Sequence, residues 1–268
     1  MRPCTLELPG YFVVFGTGKY LGFTDFSTTS TQTLYGISDY GDDDDNTEYL
    51  GAFDRGSTPQ LSNQPNTVTL QEQTQIFYDN QYTYVDEFGA TVTVTLPTYV
   101  RVLSDNAMTY ASMADPDGGG ETPDLSNSVP NHAGWYFDFP ITKERMIRDL
   151  MIRSGKVIFI SSIPTSTACS AGGESILHES NACTGGRLTT PQLDINNDGV
   201  IDESDLINIG GEWLAPTGMY FPTMLYPPSI VPADEEEIKL MSTSSGHIID
   251  VRETAERAGI IYWQQLNQ

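Results

Sequence analysis

The sequence predicts an all-β protein built from many short strands. Three observations support this. β-branched and aromatic residues gather in short runs, turn-forming Gly, Asn, Asp and Pro separate those runs, and the composition is rich in Gly, Pro, Thr, Ser and Tyr. Such patterning suits sheets stacked as a sandwich, a barrel or a propeller. At 268 residues the chain can form one large domain or two smaller ones.

Taken in order, Tyr11–Phe15 is a buried strand that runs into Gly16-Thr-Gly18-Lys-Tyr-Leu-Gly22. Those glycines match neither the dinucleotide fingerprint nor the P-loop pattern, so they predict a tight turn between strands. Thr33–Ile37 is a second short strand. From Asn66 to Val102, Thr67–Leu70, Gln75–Tyr78, Tyr82–Val85 and Thr91–Leu96 each read as strands, with turns at Asp79-Asn80 and Glu87–Gly89. Asp115–Glu121 is a polar connection, and Gly134–Phe139 resumes strand character. Lys143–Arg153 is ambiguous: the apolar pairs Met146/Ile147 and Leu150/Met151 fit a helical period, although both neighbours are strands. Gly155–Ile160 is a strand ended by Ile163-Pro164. Glu203–Ile209 can form one or two helical turns before Gly210-Gly211 stops it. Lys239–Asp250 and Ala258–Leu266 close the chain as strand-like pieces.

The formal charge of −23 argues against a nucleic-acid partner, because phosphate binding needs Lys and Arg, of which there are only 13. No apolar run approaches the ~20 residues that span a bilayer. The first residues lack the apolar stretch of a signal peptide, so an exported protein would carry its signal outside this sequence. Of the three cysteines, Cys169 and Cys183 flank a Gly- and Ser-rich segment. A disulfide between them would suit an oxidising compartment, leaving Cys4 over.

The strongest motif is Asp194-Ile-Asn-Asn-Asp-Gly-Val-Ile-Asp-Glu-Ser-Asp205. Oxygen-bearing side chains alternate at Asp194, Asn196 and Asp198 and recur at Asp202, with Gly199 at the sharp turn. A hard cation such as Ca²⁺ takes roughly six to eight oxygens, and this spacing can wrap them round one point. The Val200 carbonyl would supply the ligand that no side chain offers there. Asp205 stands at the twelfth position, where a helical sensor loop has a longer Glu. The run Asp42–Asp45 is contiguous rather than alternating, which suits a solvated loop better than a second site. The three histidines, His132, His178 and His247, fall in no Gly-x-Ser-x-Gly or His-Glu-x-x-His pattern, so no enzyme is expected. Tyr82, Tyr84, Trp135, Tyr136 and Trp263 could stack on sugars, but alternate strand positions favour packing roles for them.

Taken together, these stretches resemble the C-terminal part of the type IV pilus tip and biogenesis proteins of the PilY1 class. The likeness rests on Tyr11–Gly22, Thr31–Ile37, Gly134–Pro140, Val157–Pro164 with Cys169–Gly173, Thr184–Arg187, the Asp194–Asp202 loop, Ser244–Gly246 and Trp263, in the family's order. The resemblance implies a β-propeller of four-stranded antiparallel blades, a single domain over 1–268, with an EF-hand-like calcium loop inserted at about 190–212. It implies strand rather than helix at Lys143–Arg153, and metal roles for Asp194, Asn196, Asp198, the Val200 carbonyl and Asp202. The family's propeller is roughly twice this length, so the chain would hold the later blades, completed by an N-terminal half or a companion chain. The implied function is a non-enzymatic, calcium-binding adhesion and assembly module of a pilus. It would lie at the cell surface or pilus tip after export through the periplasm, with minor pilins or other tip components as partners and a host or surface ligand. The alternative is a secreted calcium-dependent carbohydrate-binding module or glycan-active enzyme.

Overall fold

A computed structural model of the chain describes residues 11–21, 25–39, 68–110, 112–114, 122–124, 131–165, 172–233 and 236–254. Within them the strands are β1 (Tyr11–Gly16), β2 (Thr33–Asp39), β3 (Val68–Gln73), β4 (Gln75–Val85), β5 (Thr91–Leu103), β6 (Ser112–Ala114), β7 (Thr122–Asp124), β8 (Asn131–Asp138) and β9 (Arg145–Met146). There follow β10 (Met151–Arg153), β11 (Lys156–Pro164), β12 (Gly173–Asn181), β13 (Ile207–Ile209), β14 (Glu212–Leu214), β15 (Gly218–Phe221), β16 (Ser229–Ala233), β17 (Glu236–Ser242) and β18 (Ile248–Thr254). The only helical pieces among the described residues are two single 3-10 turns, Asp25–Ser27 and Glu203–Asp205.

Three sheets form the body. The first has the order β1-β2-β8-β3, antiparallel except for the parallel pair β3–β8. The second runs β10-β11-β12-β15-β5-β4, with β9 pairing on β11, and the third runs β16-β17-β18. The second sheet is the middle layer. On β11, Val157 and Phe159 join a core with Phe12, Leu34, Trp135 and Phe137 of the first sheet. Ile158 and Ile160 point the other way, into a core with Met241 and Val251 of the third sheet. The unbroken apolar run from Val157 to Ile160 therefore marks a strand covered on both faces.

Two glycines, Gly36 and Gly185, meet Trp135 at one point. Trp135 is fully buried, and its indole N–H donates to the Ala182 carbonyl at 3.0 Å. A β-carbon on Gly36 or on Gly185 would lie 2.3 Å from an indole carbon, so both glycines are cut to the shape of that ring. Gly185 also has φ +71°, a conformation that favours glycine. Segments distant in sequence, around Gly36, Gly134-Trp135 and Thr184–Gly186, thus form one packing unit.

Three local expectations are corrected. Lys143–Arg153 is not a helix but the strands β9 and β10. Leu150 and Ile152 pack towards the Trp135 core while Met151 packs towards the opposite one, a period of two. Buried Arg145 is held by the carbonyls of Lys143, Lys19, Asp25 and Thr28. Asp79-Asn80 is not a turn, since β4 runs straight through it. The ladder instead shifts register there, and Leu96–Tyr99 of β5 bulge between the pairs Gln81↔Thr95 and Asp79↔Val100, which accommodates Pro97. Glu203–Ile209 forms one 3-10 turn and then strand β13, not two helical turns. Asp42–Asp45, Asp115–Glu121, Cys4, Cys169 and Ala258–Leu266 lie outside the described residues.

Candidate metal-binding loop and its surroundings

The loop lies in the connection between β12 and β15, which are direct neighbours in the middle sheet. The chain leaves that sheet, makes the loop and the β13–β14 hairpin, and returns beside the strand it left. Both ends of the loop are anchored in the core, by Leu193 and Ile195 before it and by Ile207 after it, all buried. Leu193 also bridges to Glu253 of β18.

Between those anchors the loop is built from side-chain-to-backbone turns. Asp194 Oδ1 accepts the N–H groups of Asn197 and Asp198 at 2.6 and 3.2 Å, and its Oδ2 accepts that of Gly199 at 2.9 Å. Asn196 Oδ1 accepts the Asp198 N–H, and Asp198 Oδ1 accepts the Val200 N–H, both at 2.9 Å. Such Asx turns curl the chain tightly. Asn197 and Gly199 complete the curl with φ of +61° and +88°. Asp202 caps the 3-10 turn by accepting the Ser204 N–H at 2.7 Å, and that bond holds its carboxyl below the usual range.

Asp205 points inward and is fully buried. Its Oδ1 accepts from Ile195 N and Asn196 N, and its Oδ2 accepts from Asp202 N, so one carboxylate ties the start of the loop to its end. Burial pushes this carboxyl up to about 6 against those hydrogen bonds, with the nearby charge of Asp194 adding to the rise. Asp194, Asn196, Asp198 and Asp202 are the more outward members of the set. Among the described residues, no three His, Cys, Asp or Glu side chains converge at metal-ligating spacing. The loop's side chains offer oxygen donors, and its carboxylates accept main-chain N–H groups. Asp194, Asp198 and Gly199 also border a cavity of about 430 Å³ against Asp250 and Arg252 of β18.

Two buried polar networks, unmarked in the sequence, lie on opposite faces of the middle sheet. On one face Arg101 makes a bidentate pair with Glu144, at 2.6 and 2.9 Å. Ser161 Oγ lies 2.6 Å from Glu144 Oε1 and 3.0 Å from His178 Nε2. Phe159 stacks on the His178 ring at 4.3 Å. Burial would raise the Glu144 carboxyl, but the Arg101 guanidinium holds it down at about 2. Burial and the Arg101 charge lower His178 to about 4, against the opposing effect of Glu144. All four side chains are sealed from solvent. The other histidines are placed apart: buried His132 accepts the Thr109 N–H, and His247 sits in the exposed turn between β17 and β18.

A pH prediction follows from His178. Its folded pKa lies below the unfolded value of about 6.5, so between pH 6.5 and 4 the unfolded chain binds the extra proton. Stability from this group is full above pH 6.5 and falls as pH drops through that window. The stability difference between wild type and His178→Gln should grow by on the order of 3 kcal/mol from pH 4 to 6.5 and then level off. Urea melts across pH would check this; parallel profiles for the two proteins would contradict it.

On the other face, Lys156 and Lys239 lie among Glu179, Glu253 and Gln192, all buried. Lys239 contacts both glutamates, and Lys156 contacts Glu253 and lies 3.6 Å from Glu179. This cluster bolts the third sheet to the middle one. Burial, opposed by Lys239 and reinforced by the Glu253 charge, pushes Glu179 up to about 8. Burial would also raise Glu253, yet a hydrogen bond from Glu179 and the Lys239 charge hold it at about 2. Cys183 is disulfide-bonded, with its partner outside the described residues.

No family model matches the chain. Over 199 residues, 72% of its length, the chain is 29% identical to the type IV pilus biogenesis factor PilY1 of Pseudomonas aeruginosa strains PAO1 and PAK. It is 27% identical over 206 residues to the protein of the same name in strain UCBPP-PA14. The crystal structure of the P. aeruginosa PilY1 C-terminal domain superposes on 95% of the chain with a TM-score of 0.61 and 22% identity.

The chain is PilY1-like.

It spans only 14–15% of the length of those curated PilY1 relatives and 43% of the crystallised PilY1 domain. The shared fold is all-β and propeller-like, as the resemblance implied, and the body of this chain has sheets of four, seven and three strands. No helix among the described residues of the PilY1-like chain is long and apolar enough to cross a membrane.

Proposed function

We propose that this chain is a non-enzymatic, calcium-binding module of a type IV pilus, acting in pilus assembly and adhesion at or near the fibre tip. The observation that carries the pilus assignment is similarity to named pilus biogenesis factors across nearly three quarters of the chain, on a shared fold. On this reading the module works outside the cell, and its partners are minor pilins or other tip components. Immunogold labelling of a tagged chain in a piliated strain tests the assignment. Label at fibre ends is expected, and label confined to the cytoplasm would overturn it.

The calcium assignment rests on the oxygen spacing of the loop and on its curled backbone. Asp194, Asn196, Asp198, Asp202 and the Val200 carbonyl would hold the ion. Asp205 would brace the loop from beneath, through the three main-chain N–H groups it already accepts. Bound Ca²⁺ would neutralise carboxylates that otherwise repel one another, and its binding free energy would add to the stability of the folded loop. Asp198→Ala should abolish high-affinity calcium binding at the site, because it removes one of the few carboxylates that would touch the ion. Isothermal calorimetry would measure it, and undiminished uptake by the variant would remove Asp198 from the ligand set.

A further inference from the structure

We infer that the β13–β14 hairpin carries a binding site for neutral glycans, centred on Trp213 and Tyr84. Trp213 is 47% exposed on strand β14, unlike Trp135, which is sealed in the core. Among the described residues its indole N–H donates to no protein group. The ring is nevertheless held. Tyr84 lies 5.0 Å from it at an interplanar angle of 63°, and Tyr82 lies 6.3 Å away at 89°. Tyr82 and Tyr84 share one face of β4 and stack on each other at 6.4 Å. The two-residue turn Gly210-Gly211, with φ of +64° and +97°, closes the hairpin, and Asn208 Oδ1 accepts the Gly211 N–H. The platform is therefore assembled before any ligand arrives, which spares a ligand the cost of ordering it.

Trp213 and Tyr84 line two grooves, each of about 580 Å³, within the size range of small-ligand sites. The first groove adds Thr83, Asp86, Glu87 and Asn208. The second adds Thr95, Asn196, Glu203 and Ser204, so the candidate metal loop forms part of its wall. Each groove thus joins an aromatic face to hydroxyl, amide and carboxylate groups. A pyranose has the matching surface: an apolar C–H face that packs on an aromatic ring, and a rim of hydroxyls that donate and accept. Two grooves sharing one pair of rings suit a chain of sugars rather than a single one. The acids in the walls and the net charge of −23 select against sialylated, sulfated or otherwise anionic glycans.

The site stands on this geometry and does not depend on the pilus assignment. The test is a glycan array probed with the purified full chain in calcium buffer, followed by calorimetry on the best neutral oligosaccharide. Neutral hexose chains should bind, with affinity changed less than about twofold by 0.5 M NaCl, because the contacts are uncharged. Trp213→Ala should lower affinity at least about tenfold, and Trp213→Phe should restore most of it, since an aromatic face is what the sugar needs. Circular dichroism and melting would show that both variants fold. Array binding absent for wild type, confined to anionic glycans, or undiminished in folded Trp213→Ala would each overturn the inference. Any of these would leave the labelling test of the pilus assignment unaffected.

Discussion

Trp135→Ala is expected to lower the free energy of unfolding by about 3–5 kcal/mol, the range for deleting a large buried aromatic side chain. The indole fills the space between the first sheet and the middle one, where it touches Gly36 and Gly185 so closely that neither could carry a side chain. Removing it leaves a cavity that those backbones cannot easily collapse into, and it strips the Ala182 carbonyl of its donor. Gly185→Ala attacks the same contact from the other side. Its β-carbon would overlap the ring in a backbone conformation unfavourable to alanine, costing about 1–3 kcal/mol or more. Equilibrium urea unfolding would measure both. A loss below about 1 kcal/mol for Trp135→Ala would mean that these two sheets do not depend on one packed core.

Lys239→Met is expected to have a comparable effect, about 3–5 kcal/mol, by a different mechanism. Lys239 is fully buried against Glu179 and Glu253, and Glu179 holds a proton that it donates to Glu253. Removing Lys239 therefore leaves the Glu253 carboxylate with Lys156 as its one ammonium partner. Loss of the Lys239 charge would then raise the folded-state pKa of Glu253 from about 2 towards its unfolded value of about 4.5. A carboxylate held at about 2 contributes stability that is full above the unfolded value and is lost as pH falls through the folded one, and the variant forfeits that contribution. The deficit of the variant should therefore be full above about pH 4.5 and shrink as pH falls towards 2. The double variant Lys239→Met/Glu179→Leu, which replaces the buried acid left beside the missing ammonium and keeps Lys156 and Glu253 as a pair, should recover a substantial part of the loss. Thermal melts across pH decide the matter: a deficit independent of pH would point to lost packing rather than stranded charge.

Much of the strand framework was legible because packing and pattern agree. Gly155–Ile160 reads as a strand, and its apolar run is covered on both faces. Tyr11–Phe15, by contrast, reads as a buried strand but lies at a sheet edge that leaves Tyr11, Val13 and Phe15 exposed and buries Phe12. The glycines around Trp135 belong to stretches noticed in sequence, although only the fold shows that they meet on one ring. Other features were hidden for physical reasons. In Ile238-Lys239-Leu240, alternation would place Lys239 outside and its apolar neighbours inside. The structure inverts this: Lys239 is buried with two carboxylates, while Leu240 is 39% exposed. A charged residue that finds its counter-charges through tertiary contact leaves no local signal. Arg101, Glu144 and Lys156 escaped for the same reason. The helical reading of Lys143–Arg153 failed because two pairs of apolar residues four apart also fit short strands facing alternate cores. In the sequence Trp213 is a single aromatic beside Gly210-Gly211, and only the placement of β4 makes it the centre of a platform. The loop at Asp194–Asp205 was the reverse case. Its turns are local, made by Asp and Asn side chains bonding to main chain within a few residues, so the residues that make them stand next to one another in the sequence.

The most direct test of the calcium assignment is a crystal structure of the chain grown in millimolar CaCl₂, with anomalous difference maps collected after exchange for Mn²⁺. The account predicts one peak inside the loop, about 2.3–2.6 Å from oxygens of Asp194, Asn196, Asp198, Asp202 and the Val200 carbonyl for calcium. A well-ordered loop with no peak at that position in either ion would contradict it.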